Sequence, residues 1–389
     1  MDLPNIDAIR RSIPALSELI LLNTAGIGPT PQPVLDRLTQ EFTDITQHGP
    51  PTHVDPAKAS ERTARTRARI GRFFGVTPED VCFTQGVSDG FGIVINGLDW
   101  KPGDELIITD EEHPAFEVSA LHLAKRKGIV IKRLALADNP EVILSSFKTL
   151  LTARTRLAAL SHVTTDTGTR LPVESICRLC HDHGIPVACD GAQSAGQFPV
   201  DLAAMGVDFY CVLAYKWLLG PYGAGLLYVN QAWHQKLEVT LAGSRSARGI
   251  NRSKGACEFL ENAQRFEGGP ISMPLFHAFA ETLDFIESIG LDRIHALGTE
   301  RAAYLREALQ KIPGVTIQSP SGPATSTAIV AFSIEGKGGG DVSSALRAKR
   351  IVQRPAFLKF NGVRVSPAFF TSDAEIETLI TAVREIAKK

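Results

Sequence analysis

Neither sign of charge is in surplus: 41 Lys and Arg face 42 Asp and Glu, a net charge of −1 over 389 residues. A binder of nucleic acid or anionic membrane shows a basic excess as its first footprint, so neither partner is expected. Cysteine is scarce. The six (Cys82, Cys177, Cys180, Cys189, Cys211, Cys257) sit mostly in apolar runs and make no disulfide framework. A chain this long buries enough surface to need no staples, and the expectation is a reducing cytoplasm. Long charge-free apolar runs are also lacking. The most apolar stretch, 209–229, carries Lys216 and several Gly and Pro, and reads as a buried strand pair rather than a membrane span. The N-terminus has no basic region followed by a clean apolar core, so no signal peptide is expected. What is present, 44% hydrophobic and 21% charged residues, is ordinary for a globular protein and excludes disorder and collagen. The length suggests about two to three domains.

From about 56 to 230 the chain alternates between the helix and strand periods. Residues 56–74 read as a helix with Asp55 as N-cap and Pro56 in its first turn. Strands at 81–84, 105–109, 129–135 and 157–163 are each followed by a helix, at about 88–98, 114–126, 141–151 and 172–183. Strands at 186–189, 209–214 and 225–229 complete the series. This alternation predicts an α/β fold with a mostly parallel sheet covered on both faces. Function in such sheets sits at the carboxyl ends of the strands. From about 290 a helix (291–310), a strand (325–334), a helix (341–349), a short strand (363–366) and a last helix (373–388) read as a smaller α+β domain. The Gly-, Ser- and Arg-rich stretch 243–275 reads as loop and linker. The domain expectation is an N-terminal segment (1–30), a large domain (31–255), and an interdomain helix with a small C-terminal domain (256–389).

Two runs carry the chemistry. Asp190-Gly191-Ala192-Gln193-Ser194-Ala195-Gly196 follows an apolar strand, which puts a carboxylate at a strand's carboxyl end. Burying it is costly unless it meets a cation, although a helix cap or turn explains it as well. Lys216 lies in Ala214-Tyr215-Lys216-Trp217-Leu218-Leu219-Gly220-Pro221. A lysine among buried residues has a lowered pKa and becomes a nucleophilic amine; taken alone, one that snorkels to the surface fits as well. Together the runs make the arrangement of a pyridoxal phosphate site. The lysine forms a Schiff base with the aldehyde, and the acid pairs with the pyridinium nitrogen and keeps the ring an electron sink.

On these runs the sequence resembles the class V aminotransferase family of fold-type I enzymes, from about residue 22 to the C-terminus. The resemblance implies a seven-stranded, mostly parallel sheet between helices, bound pyridoxal 5'-phosphate, and a homodimer with active sites at the subunit interface. The turn Gln85-Gly86-Val87-Ser88-Asp89-Gly90 matches the family's phosphate turn, with Val87 (by its amide) and Ser88 as donors; a helix N-terminus suits a phosphate. His113, in Glu111-Glu112-His113-Pro114-Ala115, matches the ring stacked on the pyridine, and Gln193 the donor to the ring hydroxyl. Thr165 stands where cysteine desulfurases place an Asn, and Leu213 where they place a phosphate-binding Ser. Tyr215 replaces the usual His and is similar to kynureninase, which implies that its hydroxyl binds the phosphate. Arg364 resembles the substrate-carboxylate Arg and Arg354 the second Arg of the cystine C–S lyase branch. Asn23, Ala25 and Gly26 fall in a segment implied to line the substrate. In Arg265-Phe266-Glu267-Gly268-Gly269-Pro270, Gly269 replaces the Thr that reaches the neighbouring subunit's phosphate, with Ser272 as a substitute.

Three motifs read as structural. Cys177-x-x-Cys180 with His181 and His183 lies in a helix without a second Cys pair, so no metal is expected. Gly336-Lys337-Gly338-Gly339-Gly340 lacks the phosphate-loop order and reads as a turn before a helix. Arg62, Arg65, Arg67, Arg69 and Arg72 read as a solvated helix face.

Between Ile351 and Arg364 there is no Cys, which argues against persulfide transfer from that loop as in desulfurases. Gly97-Leu98-Asp99-Trp100, the Glu-His-Pro at 112–114 and the Arg354/Arg364 pair resemble the branch of cystine C–S lyases and isopenicillin N epimerase-like proteins. The favoured reaction is β-elimination from a sulfur-substituted amino acid, with Lys216 as base. An aminotransferase or epimerase acting on a larger amino acid uses the same residues, and an idle family member is the remaining alternative.

Overall fold

The computed structural model describes residues 5–356 and 358–388; the first four residues of the expected N-terminal segment lie outside them. A two-residue strand, β1 (Ile20–Leu21), comes first. Next come the seven strands of the central sheet: β2 (Val81–Thr84), β3 (Glu105–Thr109), β4 (Val130–Leu134), β5 (Thr155–Ser161), β6 (Val187–Asp190), β7 (Phe209–Leu213) and β8 (Gly225–Val229). Their order is β2-β8-β7-β6-β5-β3-β4. Only β8 runs antiparallel to its neighbours, on both sides.

Helices cover both faces, and side-chain alternation divides the core accordingly. Ile107, Ala158, Leu160, Cys189 and Val212 point to one apolar layer. Leu106, Ile108, Leu157, Ala188 and Cys211 point to the other. Burial on two faces explains why these strands read as continuous apolar runs. The 209–229 stretch is the expected strand pair, β7 against β8.

The C-terminal unit is a four-stranded antiparallel sheet of β11 (Val315–Ile317), β12 (Val330–Ile334), β14 (Arg354–Pro355) and β15 (Val363–Val365), preceded along the chain by a hairpin, β9 (Ala247–Asn251) and β10 (Ala256–Phe259). Helices Leu291–Gln310, Gly339–Ala348 and Asp373–Ala387 contribute to its separate core. The N-terminal segment joins it: β1 pairs in parallel with β13 (Ile351–Val352), and Leu22 is part of that core. A bridge from Asn23 to Ser366 then steers the chain toward the main sheet.

Three expectations need correction. The 243–275 stretch holds the β9–β10 hairpin and the start of helix Met273–Ile289. The hairpin is mostly exposed, so it has no apolar alternation to read. The strand expected at 325–334 is confined to 330–334. Thr325 instead bonds Asp138 Oδ1 at 2.6 Å, and Thr327 the carbonyl of Gly168 at 2.8 Å. The arginine helix is not a solvated face throughout. Arg67 is 2% exposed, held by Glu267 at 2.6 Å with its guanidinium 3.9 Å from the Phe83 ring, and Arg69 pairs with Asp284 and Glu287.

Candidate active site

Because β2, β3, β5, β6 and β7 all point the same way, the segments after them meet at one edge of the sheet. Gly86–Ser88 follow β2, His113 follows β3, His162–Thr165 follow β5, Asp190 ends β6, and Tyr215–Lys216 follow β7. A cavity of about 240 Å³ opens there, lined by Val87, Ser88, His113, Asp190, Tyr215 and Lys216 among others. It is where strand-end logic places function in an open α/β sheet.

Two close approaches shape it. A side chain at Gly28 would lie 2.1 Å from the carbonyl oxygen of Lys216, and the Gly28 amide donates to the Tyr215 carbonyl at 2.8 Å. Gly196, with φ +91°, lets the turn after Asp190 lie against the backbone of Trp217 and Leu218. The lysine loop is thus clamped from both sides by backbone that tolerates no Cβ.

Lys216 and Asp190 are both buried. Burial brings the Lys216 amine down to about 8; the Asp190 carboxylate opposes that shift, while Arg364 and Arg354 add to it. Burial raises the Asp190 carboxyl, against the pull of Lys216 and of the Ala192 amide, which donates to Oδ1 at 2.7 Å. His113 caps helix Pro114–Lys127, its Nδ1 accepting the Ala115 amide at 3.1 Å. Burial and then the nearby cations Lys216, Arg354 and Arg364 press the ring down to about 4, so it is neutral at physiological pH.

Helix Val87–Gly97 starts at the cavity with no side chain capping it, which leaves its first amides directed there. Ser88 is exposed at that end. Tyr215 is partly buried and stacks on Tyr222 with ring centroids 4.3 Å apart. Gln193 sits behind the lining: its Oε1 accepts from the Trp217 indole and its Nε2 donates to the Ala25 carbonyl, both at 2.8 Å. That leaves one amide hydrogen of Gln193 uncommitted.

The arginines form a second group. Arg354 and Arg364 are directly opposed on β14 and β15. Arg364 is 1% exposed and donates to the Thr165 carbonyl at 2.7 Å and to Asn23 Oδ1 at 3.0 Å. Thr165 therefore backs the arginines and is not part of the cavity lining. Ala25 and Gly26 follow Asn23 in the same turn. Gly269 and Ser272 are exposed and lie outside the cavity lining of the single chain.

Sequence reasoning missed the acids behind this group. Asp166 is fully buried and accepts from Arg354 Nη2 at 2.7 Å. Glu111 accepts the amides of Asp166 and Thr167. Glu112, pushed up to about 7 by burial, accepts from Thr109 and from the Ser161 amide and hydroxyl. The available signal was slight: Glu111 and Glu112 follow β3 in a run of three acids, and Asp166 lies in a threonine-rich turn after β5. Among the described residues no cluster of His, Cys, Asp and Glu could hold a metal, and no helix is long and apolar enough to cross a membrane. His181, from the Cys-x-x-Cys run, instead meets Asp208 at 2.9 Å.

The sheet order, the covering helices and the strand-end lysine and acid define a fold-type I pyridoxal-phosphate enzyme scaffold. The chain belongs to the class-V aminotransferase family, whose model matches residues 20–372. It is 29% identical to a probable cysteine desulfurase of Mycolicibacterium paratuberculosis (strain ATCC BAA-968 / K-10) over 99% of its own length, and spans 58% of that protein. It is 27% identical to a cysteine desulfurase of Shigella sonnei (strain Ss046), covering 98% of each chain. Among solved structures it is similar to the cystine C–S lyase C-DES in complex with its reaction product cysteine persulfide, at 27% identity and a TM-score of 0.89 over 96% of this chain and 99% of that one. A C-DES variant with glycine covalently linked to the PLP cofactor gives 27% identity and a TM-score of 0.90 over 98% and 99%.

Proposed function

We propose that this chain binds pyridoxal phosphate and cleaves the Cβ–S bond of a cysteine- or cystine-type amino acid by β-elimination. The observation that carries the reading is the buried Lys216–Asp190 pair beside a buried arginine, Arg364, with no cysteine between residues 351 and 364. The residues fit the cofactor: the uncapped helix start and Ser88 suit a phosphate, Asp190 a protonated ring nitrogen, and Lys216 an aldehyde. When bound, pyridoxal phosphate supplies an aldehyde for the amine and an electron sink for the substrate's α-carbon.

The chain's own residues do the rest. Arg364 seats the α-carboxylate, Thr165 and Asn23 hold its fork, and Tyr215 donates to the phosphate. His113, a neutral imidazole in the cavity lining, would stack against the bound ring. Lys216, with an amine near neutrality, takes the proton from Cα. The Cβ–S bond breaks with its electron pair going to sulfur. From L-cystine the sulfur leaves as the persulfide of the other cysteine, and the three-carbon remainder is hydrolysed to pyruvate and ammonia. We further propose a cytoplasmic homodimer whose interface completes each site, with Gly269 and Ser272 reaching the neighbour's phosphate.

The test is a count of keto acid released per protomer from L-cystine with no acceptor keto acid present. Many turnovers support elimination. A single turnover replaces it with a transaminase arrested in its amine form. No keto acid, with a spectral response to another amino acid, points to an epimerase.

A further inference from the structure

We propose that Asp166 is a specificity-determining residue: it fixes the charge this site accepts, and so discriminates against substrates with a second carboxylate close to the first. The inference rests on the reading of Arg354 and Arg364 as the carboxylate seat.

The two arginines are Cα partners on adjacent antiparallel strands, so their side chains leave on the same face. Two cations placed so are unfavourable without a counter-charge. Asp166 supplies it: Oδ1 accepts from Arg354 Nη2 and Oδ2 from the Leu358 amide, each at 2.7 Å. A second acid stands directly behind. Glu111 accepts the Asp166 amide at 2.8 Å, the Thr167 amide at 2.6 Å and the Thr167 hydroxyl at 2.7 Å; burial raises its carboxyl, and these donors oppose that shift. Thr165, one residue earlier, gives its carbonyl to Arg364. Residues 165–167 are therefore a strap that ties both guanidiniums to two buried acids.

The remaining charges nearby are already matched. Lys216 faces Asp190, and Lys359 pairs with Asp110. Arg354 thus meets the Asp166 carboxylate before any substrate arrives, and Arg364 feels the same charge at longer range. Arg364 Nε, buried and without a hydrogen-bond partner, can still take one α-carboxylate. A second acid a few bonds away meets no surplus cation and faces Asp166 instead. L-Cystine is not barred, because its other carboxylate lies across the disulfide. L-Aspartate and cysteine sulfinate are.

The holoenzyme tests this by titration with propionate and with succinate, read from the cofactor's absorption spectrum, which needs no turnover. The wild type is expected to bind propionate more tightly than succinate. Asp166→Asn should move the succinate-to-propionate affinity ratio by on the order of tenfold toward succinate. Asp166→Glu should restore the wild-type order. An unchanged ratio in Asp166→Asn, or an equal loss of both acids in both variants, overturns the proposal. If Asp166→Asn fails to fold, Glu111→Gln must shift the ratio in the same direction. Arg364→Ala with undiminished propionate binding would sink the carboxylate seat itself, a failure distinct from an unchanged ratio.

Discussion

The reactivity of Lys216 can be worked out from its surroundings. A solvated lysine near 10.5 is neutral in about one molecule per thousand at pH 7.5. With the amine brought down to about 8, that fraction becomes about one quarter, a gain of about 240-fold. The cause is burial, so the cofactor-free protein should already show it. Timed acylation with acetic anhydride across pH, read by mass spectrometry of the Lys216 peptide, should give an inflection near 8. Asp190→Asn removes the charge that holds the ammonium form and should move the inflection lower. Arg364→Gln removes a repelling cation and should move it higher. Stability must follow the same sign. The folded value lies below the unfolded one, so protonation is penalised in the native state. The penalty is about 1.36 × (10.5 − 8), or about 3.4 kcal/mol. It is full below pH 8 and gone above 10.5, so the cofactor-free protein gains stability as pH rises through that window. An inflection near 10, or a stability that does not rise from pH 8, refutes the reasoning.

Other parts of the molecule give further expectations. His162 is buried against Phe198 and Tyr210, with a folded value of about 3; acidification to pH 5 should cost the wild type about 2 kcal/mol through this group, and His162→Leu should remove that slope in urea unfolding at pH 7 and 5. Glu267 accepts from Arg67, Arg245 and the Phe83 amide, so Glu267→Ala strands a buried guanidinium and should cost about 3–5 kcal/mol in denaturant unfolding. Glu267→Gln, which still accepts the Phe83 amide, should cost less. Arg364→Lys keeps the charge and loses the fork; it should raise KM for the amino acid by on the order of ten- to a hundredfold with a smaller change in kcat.

The central sheet was legible because its strands are buried on both faces. ELIIT and FYCVL leave no polar alternation, and short apolar runs between helical periods admit one arrangement. Edges moved by a residue or two where caps, not apolar residues, set them. Exposure hid the rest. The β9–β10 hairpin presents ARGIN and ACEF largely to solvent, so it carries no burial signal. Helix Gln32–His48 was missed for the same reason, since only Val34 and Glu41 are buried along it. Arg67 misled in the opposite sense: five arginines on one helix suggest a wet face, and only the fold brings Glu267 to one of them, 200 positions away.

The same division runs through the site. That Lys216, Asp190, His113 and Ser88 share one cavity was readable because each lies at or just after the end of a strand, and a parallel sheet brings strand ends together whatever the details of packing. Asp166 was not, because its meaning depends on a partner 188 positions away on a two-residue strand. In the sequence it is one acid in a threonine-rich turn. In the fold it decides how much positive charge two opposed arginines offer. The reactive amine is thus set first by burial, which the sequence suggests only when the Asp190 and Lys216 runs are read together. Selectivity, on the proposal above, is set by the balance of buried charges between the end of β5 and the β14–β15 pair, which only the tertiary structure assembles. Relatives that share the strand-end lysine and acid can for that reason share the cofactor and still differ in substrate. The residues to compare first are those that neutralise the arginines, not those that touch the ring.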